Sequence, residues 1–517
     1  MAITVGLDFG THQTKICIED TADKQNPNYS FWKFKDSNGH NQYVCPSVIQ
    51  LNEDNTLSYG YVSDTNCKMG FHIDIEKPQE PQIQEPILEL PPKPTALLLP
   101  DIDCKYDKVV DKEYESLQKR IKITNQLLEA DYRAICSLLQ KSYNRKQQLY
   151  LSTLGMYKAK LKRWETYYSA PMKMRYYYFK QATFSSFDWK YKDTSPILLS
   201  IWYIANIIFD LEEKFGQNFS IQMGVPTGAK DFKHRKQLAV SVLLSAYKLV
   251  EEMFNNDKKA FLSSTIEELE TLTDIVPYSE EKKEEFGILV FPEAYAGLRM
   301  LAARGKIARG MNLNVDIGGG TTDISFFVID KGKPHIYRYE SIPKGLNWII
   351  QDAFGDEAIL KRRAFLDFNS SSEYNRKAIL QSTNKFYQDI LKTHAGIIKM
   401  LWGEWVEKMG TLHKYRLTAA LQNRPIIYMG GGSTYPQLRK VVGDFSEVHI
   451  VNGDFWAGVQ IEYIEDMYPV LNTALGLSVG ETDDNIEIHS INELWKDNEE
   501  NNDTAFNQSD YNLLDIE

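Results

Sequence analysis

Two stretches of the chain set an acid at the end of an apolar run, follow it with glycine and hydroxyl residues, and then resume the apolar run. The first is Leu7-Asp8-Phe9-Gly10-Thr11-His12-Gln13-Thr14-Lys15. The second is Val315-Asp316-Ile317-Gly318-Gly319-Gly320-Thr321-Thr322-Asp323-Ile324. Glycine lets a backbone turn tightly and approach a ligand. Successive N–H groups in such a turn form a concavity for anions. Hydroxyls add donors, and an acid at a strand end suits a hard cation held through water while phosphate oxygens fill the rest of its shell. Two such turns facing each other could clamp a polyphosphate and its Mg²⁺. Each could also be a plain hairpin turn, but three successive glycines before Thr321-Thr322-Asp323 give up conformational entropy that an ordinary turn has no reason to lose. A third glycine turn, Gly430-Gly431-Gly432-Ser433-Thr434, has a strand before it and a helix after it. Its backbone could approach a nucleoside, with the helix N-terminus adding a positive dipole end. His12, inside the first turn, either contacts phosphate or points to solvent.

The elements that must hold these turns follow from residue pattern. Residues 3–7 and 15–18 are β-rich runs on either side of the first turn, and 312–317 and 324–329 flank the second. Residues 425–429 read as a strand entering the third turn, and 435–442 as the helix leaving it. Further strands are expected at 44–51 and 219–226, and helices at 196–214, 236–254 and 293–306. Residues 76–100 are rich in Pro, Glu and Gln, lack periodicity, and predict an extended connector. From 114 to 168 apolar residues recur at i, i+3, i+4, which predicts one long amphipathic helix or a helical hairpin. The aromatic run 176–189 predicts a return to sheet. No short-period repeat is present.

A chain of 517 residues with 43 % apolar content can bury more than one lobe. No apolar run is long enough to span a membrane. Residues 1–10 read as a first strand and not as a signal peptide. The five cysteines (Cys17, Cys45, Cys67, Cys104, Cys136) form no Cys-x-x-Cys pair, so neither a disulfide framework nor a zinc site is indicated. A cytoplasmic location is the expectation. Charge is uneven: residues 481–517 carry twelve acids and one lysine, whereas 141–192 carry twelve Lys/Arg and two acids. The first block reads as a disordered solubilising tail. The second reads as a solvated helix face or a docking surface, with nucleic acid a less favoured partner.

In this order and spacing the segments resemble the nucleotide-binding core of the actin/Hsp70/sugar-kinase superfamily. Residues 7–15 look like its first phosphate motif, 316–323 like the second in its Hsp70 form, and 429–438 like the adenosine motif. Phe291-Pro292-Glu293-Ala294-Tyr295-Ala296-Gly297 resembles the first inter-lobe helix, and Asn472-Thr473-Ala474-Leu475-Gly476 the second. Val225-Pro226-Thr227 and Pro46-Ser47-Val48 resemble smaller landmarks. The resemblance covers the catalytic lobes and leaves out the connector, the helical insert and the tail. It implies that Asp8 and Asp316 hold the Mg²⁺ shell, mostly through water. It implies that Gly10, Thr11, Lys15, Gly318, Gly319, Gly320, Thr321 and Thr322 bind the phosphates. Gly430, Gly431, Gly432 and Ser433 would lie against ribose and adenine, and Glu293 would position and polarise the attacking water.

Several residues depart from the Hsp70 pattern. Lys15 stands where actin and plasmid-segregation ATPases keep a phosphate-binding lysine. Hsp70 proteins take theirs from the first lobe's outer subdomain, for which Lys68 is a loosely spaced candidate. Glu293 follows Pro292, as in the segregation and cell-division branches. Tyr435 replaces the arginine that stacks on adenine, so a ring would do the stacking. The chain ends soon after Gly480, without a client-binding half.

The expected fold is therefore α/β: two actin-like lobes of duplicated ribonuclease-H type, with a long helical insertion in the first. The first lobe spans 1–308 with the insertion at about 77–192, the second 309–480, and the tail 481–517. The expected function is an ATP- and Mg²⁺-dependent, Hsp70-like hydrolytic switch that signals to a protein partner through residues 105–192. The alternatives are a filament-forming actin-like ATPase, in which case the chain self-assembles, and a small-molecule kinase on the same fold.

Overall fold

The computed structural model describes residues 3–22, 27–62, 70–71, 78–98, 108–169, 174–184, 194–226, 232–307, 310–330, 332–355, 361–409, 426–438, 450–461, 467–486 and 489. The chain is mixed α/β with several sheets. It divides into two compact units, Met1–Asp74 with Met172–Glu517, and Ile75–Pro171.

The larger unit holds two sheets of like connectivity. In the first, β1 (Ile3–Phe9), β2 (Gln13–Asp20) and β3 (Asn28–Phe31) form an antiparallel meander. β4 (Phe219–Val225) then returns parallel beside β1, and β5 (Ile288–Pro292) parallel beside β4, giving the order β5-β4-β1-β2-β3. In the second, β6 (Gly310–Ile317), β7 (Thr322–Asp330) and β8 (Lys333–Ile342) again form an antiparallel meander. β9 (Ile427–Met429) returns parallel beside β6, giving β8-β7-β6-β9. Central strands covered on both faces lose the polar alternation of a half-exposed sheet. Residues 4–9 and 312–315, which point to alternate faces, are accordingly all buried.

The helices that cover these sheets are set by local signals. α1 (Phe179–Phe184) buries Phe179 and Phe184 beside Phe9 and Tyr203. α2 (Pro196–Phe215) starts where Ser195 accepts from the N–H of Leu198 and Pro196 takes the first helical position. It stops at Gly216, whose φ of 61° suits glycine. α3 (Phe232–Lys248) runs on into a π-helical turn, Leu249–Met253. α4 (Glu293–Ala303) and α7 (Tyr468–Ser478) pack against each other. α5 (Leu346–Phe354) and α6 (Glu373–Met409) cover the second sheet between β8 and β9. A Cβ on Gly476 would collide with the carbonyl of Ala296, so this helix pair closes only because glycine stands there. Asn472 Nδ2 donates to Gly297 O at 2.6 Å across the same contact.

Three expected boundaries shift. The chain rejoins the larger unit earlier than residue 192, because Tyr176 pairs with Ile49 and α1 packs into the core. The stretch 179–184 is helix and not sheet, its aromatics facing α2 instead of a neighbouring strand; residues 185–189 lie outside the described residues. The tail also begins later than 481. Arg299 holds Val479 O at 2.6 Å and Glu481 at 3.3 Å. Asp484, 1 % exposed, takes Lys236 and Lys283 at 2.8 Å each and the N–H of Val290 at 2.9 Å. Burial opposes the Asp484 charge, but these donors hold its carboxyl below the ordinary range.

The smaller unit is one 62-residue helix, Lys108–Ser169, and the extended segment 78–98. The hairpin alternative does not form, because only Gly155 interrupts a run of helix formers, at a cost of about 1 kcal/mol. Asn125 fixes the extended segment by bonding both the N–H and the C=O of Leu97 at 2.9 Å. The helix exposes Leu117, Ile123, Leu127, Ile135, Leu138 and Leu149. Among the described residues no helix is long and apolar enough to cross a membrane.

Candidate functional site

The two hairpins β1–β2 and β6–β7 have the same register. Asp8 lies opposite Lys15 and Phe9 opposite Thr14; Asp316 lies opposite Asp323 and Ile317 opposite Thr322. Each leaves four residues at its tip, Gly10 to Gln13 and Gly318 to Thr321. Both tips line one cavity of about 230 Å³, together with Gly430, Gly431, Gly432, Glu293 and the start of α5. Parallel sheets leave such a crevice at the carboxyl ends of their strands. Gly430 has φ 80°, and a Cβ there would run into Asp316 Oδ1, so the third turn reaches the second only through glycine.

Charge is distributed unequally around the cavity. Lys15 Nζ stands 2.9 Å from Asp8 Oδ2. Asp316 has no such cation opposite it. Burial, then the carboxylates of Asp323, Glu293 and Asp8, push Asp316 up from 3.8 to about 8, with Lys15 opposing. Burial also pushes Asp323 up, to about 6, against the hydrogen bond from Ser341 Oγ at 2.6 Å. Glu293, the first residue of α4, is ion-paired with Lys180 of α1, which is 3 % exposed. His12 crosses from the first tip: its Nε2 donates to Asn347 Oδ1, its ring lies against Gly319, and Tyr178 meets its edge at 5.3 Å. That contact replaces the solvent-facing alternative for His12.

Asp8, Gly10, Thr11, Lys15, Glu293, Asp316, Gly318, Gly319, Thr321, Gly430, Gly431 and Gly432 all line the cavity. Four expected site residues lie behind it. Thr322 is buried and its Oγ1 donates to Lys344 O at 2.8 Å, because its side chain falls on the opposite face of β7 from the tip. Gly320 packs on the Gln181 amide. Ser433 is buried and donates to Gly430 O at 2.8 Å, which shapes the turn. Tyr435 stacks on Phe365, centroids 4.4 Å apart, so Phe365 and Leu366 present the apolar wall that Tyr435 was expected to supply. The Tyr435 hydroxyl is buried without a hydrogen-bond partner among the described residues. Lys68 lies outside the described residues, as do Thr227 and the helix beyond Leu438.

Lys180 is a cavity-lining side chain that sequence reasoning missed, and it pairs with Glu293. A signal existed: lysine is seldom fully buried unless paired, and Lys180 sits between Phe179 and Phe184 in a run that has to face a core. Phe365 carried no comparable signal.

The donor set suits a hard cation carried by phosphate. Among the described residues no three His, Cys, Asp or Glu side chains converge tightly enough to hold a metal ion by themselves. Asp8 and Asp316 are oxygen donors placed beside anion-binding backbone, where Mg²⁺ would keep its waters and take its remaining ligands from phosphates. No protein-family model matches the chain, and no curated protein matches it either.

Proposed function

We propose that the chain is an ATP-binding and ATP-hydrolysing switch with an actin-like, Hsp70-like core. The observation that carries this reading is the matched pair of glycine tips facing one cavity, each with an acid at its base, and Glu293 between them. The like connectivity of the two sheets supports the fold reading, with the tips as the two phosphate loops of a duplicated core.

In this reading the N–H groups of the two tips and the ammonium of Lys15 receive the phosphates. Gly431, Gly432 and Phe365 receive the nucleoside. Asp8 and Asp316 hold the hydrated Mg²⁺, which supplies charge neutralisation on the phosphate oxygens. Glu293 orients water for in-line attack on the terminal phosphate, and Lys180 fixes the Glu293 carboxylate and adds positive charge. His12, bonded from one tip to α5 of the other lobe, links the halves that would close and reopen with the nucleotide cycle. The exposed apolar residues of Lys108–Ser169 are the surface offered to a protein partner.

Phosphate release from ATP by the full chain, without an added acceptor, tests the reading. Glu293→Ala is expected to keep ATP binding and to lower turnover roughly a hundredfold or more. Turnover near wild type in that variant would remove Glu293 from the mechanism. Absence of ATP binding by the unaltered chain would remove the whole proposal.

A further inference from the structure

A second cavity, of about 210 Å³, lies where α2 ends, β4 begins and α3 runs out. Glu212 forms its floor. The residue is 9 % exposed, and among the described residues neither carboxylate oxygen meets a donor other than the Glu251 carboxyl, with which it shares a hydrogen bond when one of the two is protonated. It faces the half-buried Glu251, whose own carboxylate meets the side chain of Gln217. Glu251 is carried by the π-helical turn Leu249–Met253, closed by the Phe254 N–H to Leu249 O bond of 3.1 Å; such widened turns recur at binding sites. Glu285 and Gln217 stand exposed at the rim. Tyr247 and Phe286, ring centroids 4.8 Å apart, form an aromatic wall, and Phe219 lies beside them.

Among the described residues no lysine or arginine lines this cavity. Of the cations around it, Lys258 pairs with Asp210 at 2.5 Å, Lys248 with Asp274 at 2.9 Å, and Lys214 lies over the Trp32 ring at 4.7 Å, while Lys258 and Lys259 line an adjoining cavity that Glu212 and Gln217 share. Two facing carboxylates without a counter-ion are costly in a buried setting. Burial first, and then Glu251, push the Glu212 carboxyl up to about 7. A cation brought from outside would relieve the same cost. A metal ion is the poorer occupant, since among the described residues no three metal-binding side chains converge. Aromatic rings flanking acids are instead the surroundings that favour an organic cation.

We propose that this cavity is a socket for a guanidinium or primary ammonium group on an aliphatic stem, with Glu212 and Glu251 as counter-charges and Tyr247 and Phe286 as walls. The group enters past Glu285 at the rim and ends on Glu212 at the floor. A basic side chain of a protein partner and a free polyamine share this chemistry. The socket stands apart from the nucleotide reading and does not depend on it.

Isothermal titration and thermal shift on the full chain test it, with three probes: a neutral peptide bearing one arginine, spermidine, and calcium chloride. Wild type is expected to bind the peptide or spermidine at millimolar concentration or below, and whichever binds identifies the source. Glu212→Gln and Glu251→Gln are expected each to weaken that binding roughly thirtyfold or more, the scale for removing one member of a buried charge pair. Two variants are used so that a folding failure in one leaves the other decisive; the melting transition of each without probe reports folding. Binding of neither organic probe, wild-type affinity in folded Glu212→Gln and Glu251→Gln, or a response to calcium alone would overturn the socket.

Discussion

The two hairpins that frame the main cavity are superimposable in register yet opposite in electrostatics. In β1–β2 the residue across from the acid is Lys15, and the pair closes at 2.9 Å. In β6–β7 the residue across from the acid is another acid, Asp323, and Asp316 is pushed up to about 8. One difference of side-chain type at one ladder position separates an acid paired with a lysine from an acid whose ionisation is opposed. The first tip is arranged to meet an anion, its acid already paired. Under the proposed function the second would meet a cation, which takes the place of the proton that otherwise relieves Asp316. A magnesium polyphosphate offers both at once.

The comparison breaks most readily by removing each acid in turn. Asp316→Ala is expected to weaken magnesium–ATP binding roughly a hundredfold, the upper scale for a group that orients a metal's outer shell. Asp8→Ala should cost less, because the lysine it releases remains free to meet phosphate. Titration calorimetry of both variants decides the matter, and equal losses would show that the hairpins do not differ in role.

A smaller effect is expected from pH. The Asp316 carboxyl keeps its proton up to about pH 8 in the folded chain but only to 3.8 when unperturbed. Between those values the folded state binds the extra proton, so stability present at low pH is lost as pH rises through the folded value. Melting of the nucleotide-free protein should therefore fall between about pH 5 and about pH 8, and Asp316→Asn should flatten the fall. Added magnesium nucleotide should raise the melting point more at the alkaline end. A wild-type profile that Asp316→Asn leaves unchanged would place the titrating charge elsewhere.

The smallest effect belongs to the third glycine turn, which lies outside both hairpins. Tyr435→Phe removes a buried hydroxyl that has no partner among the described residues and is expected to leave stability unchanged or to raise it by about 1 kcal/mol. Nucleotide affinity should not move, whereas Phe365→Ala should reduce it. A loss of affinity in Tyr435→Phe would return that ring to the nucleoside wall.

Much of this architecture was legible in the chain itself. The β-rich runs around Asp8 and Asp316, the glycines between them and the Ser195–Pro196 helix start are local signals, and each produced the expected element. Their physical basis is short-ranged: backbone conformation, strand alternation and capping are decided by residues a few positions apart. The uninterrupted helical spacing beyond Tyr114 likewise shows as one helix. What the sequence could not determine were partners brought together across long stretches of chain. Lys180 meets Glu293 over 113 residues, and no spacing rule links them. Tyr435 reads as the ring that stacks on adenine, yet Phe365 covers it. Asp484 reads as part of a solvated acidic run, but Lys236 and Lys283 bury it. Glycine and strand patterns place a phosphate-sized turn from sequence alone, because backbone geometry is local. Which side chains then face the cavity is settled by packing, where a single neighbour from a distant segment decides whether a residue meets a ligand or another side chain.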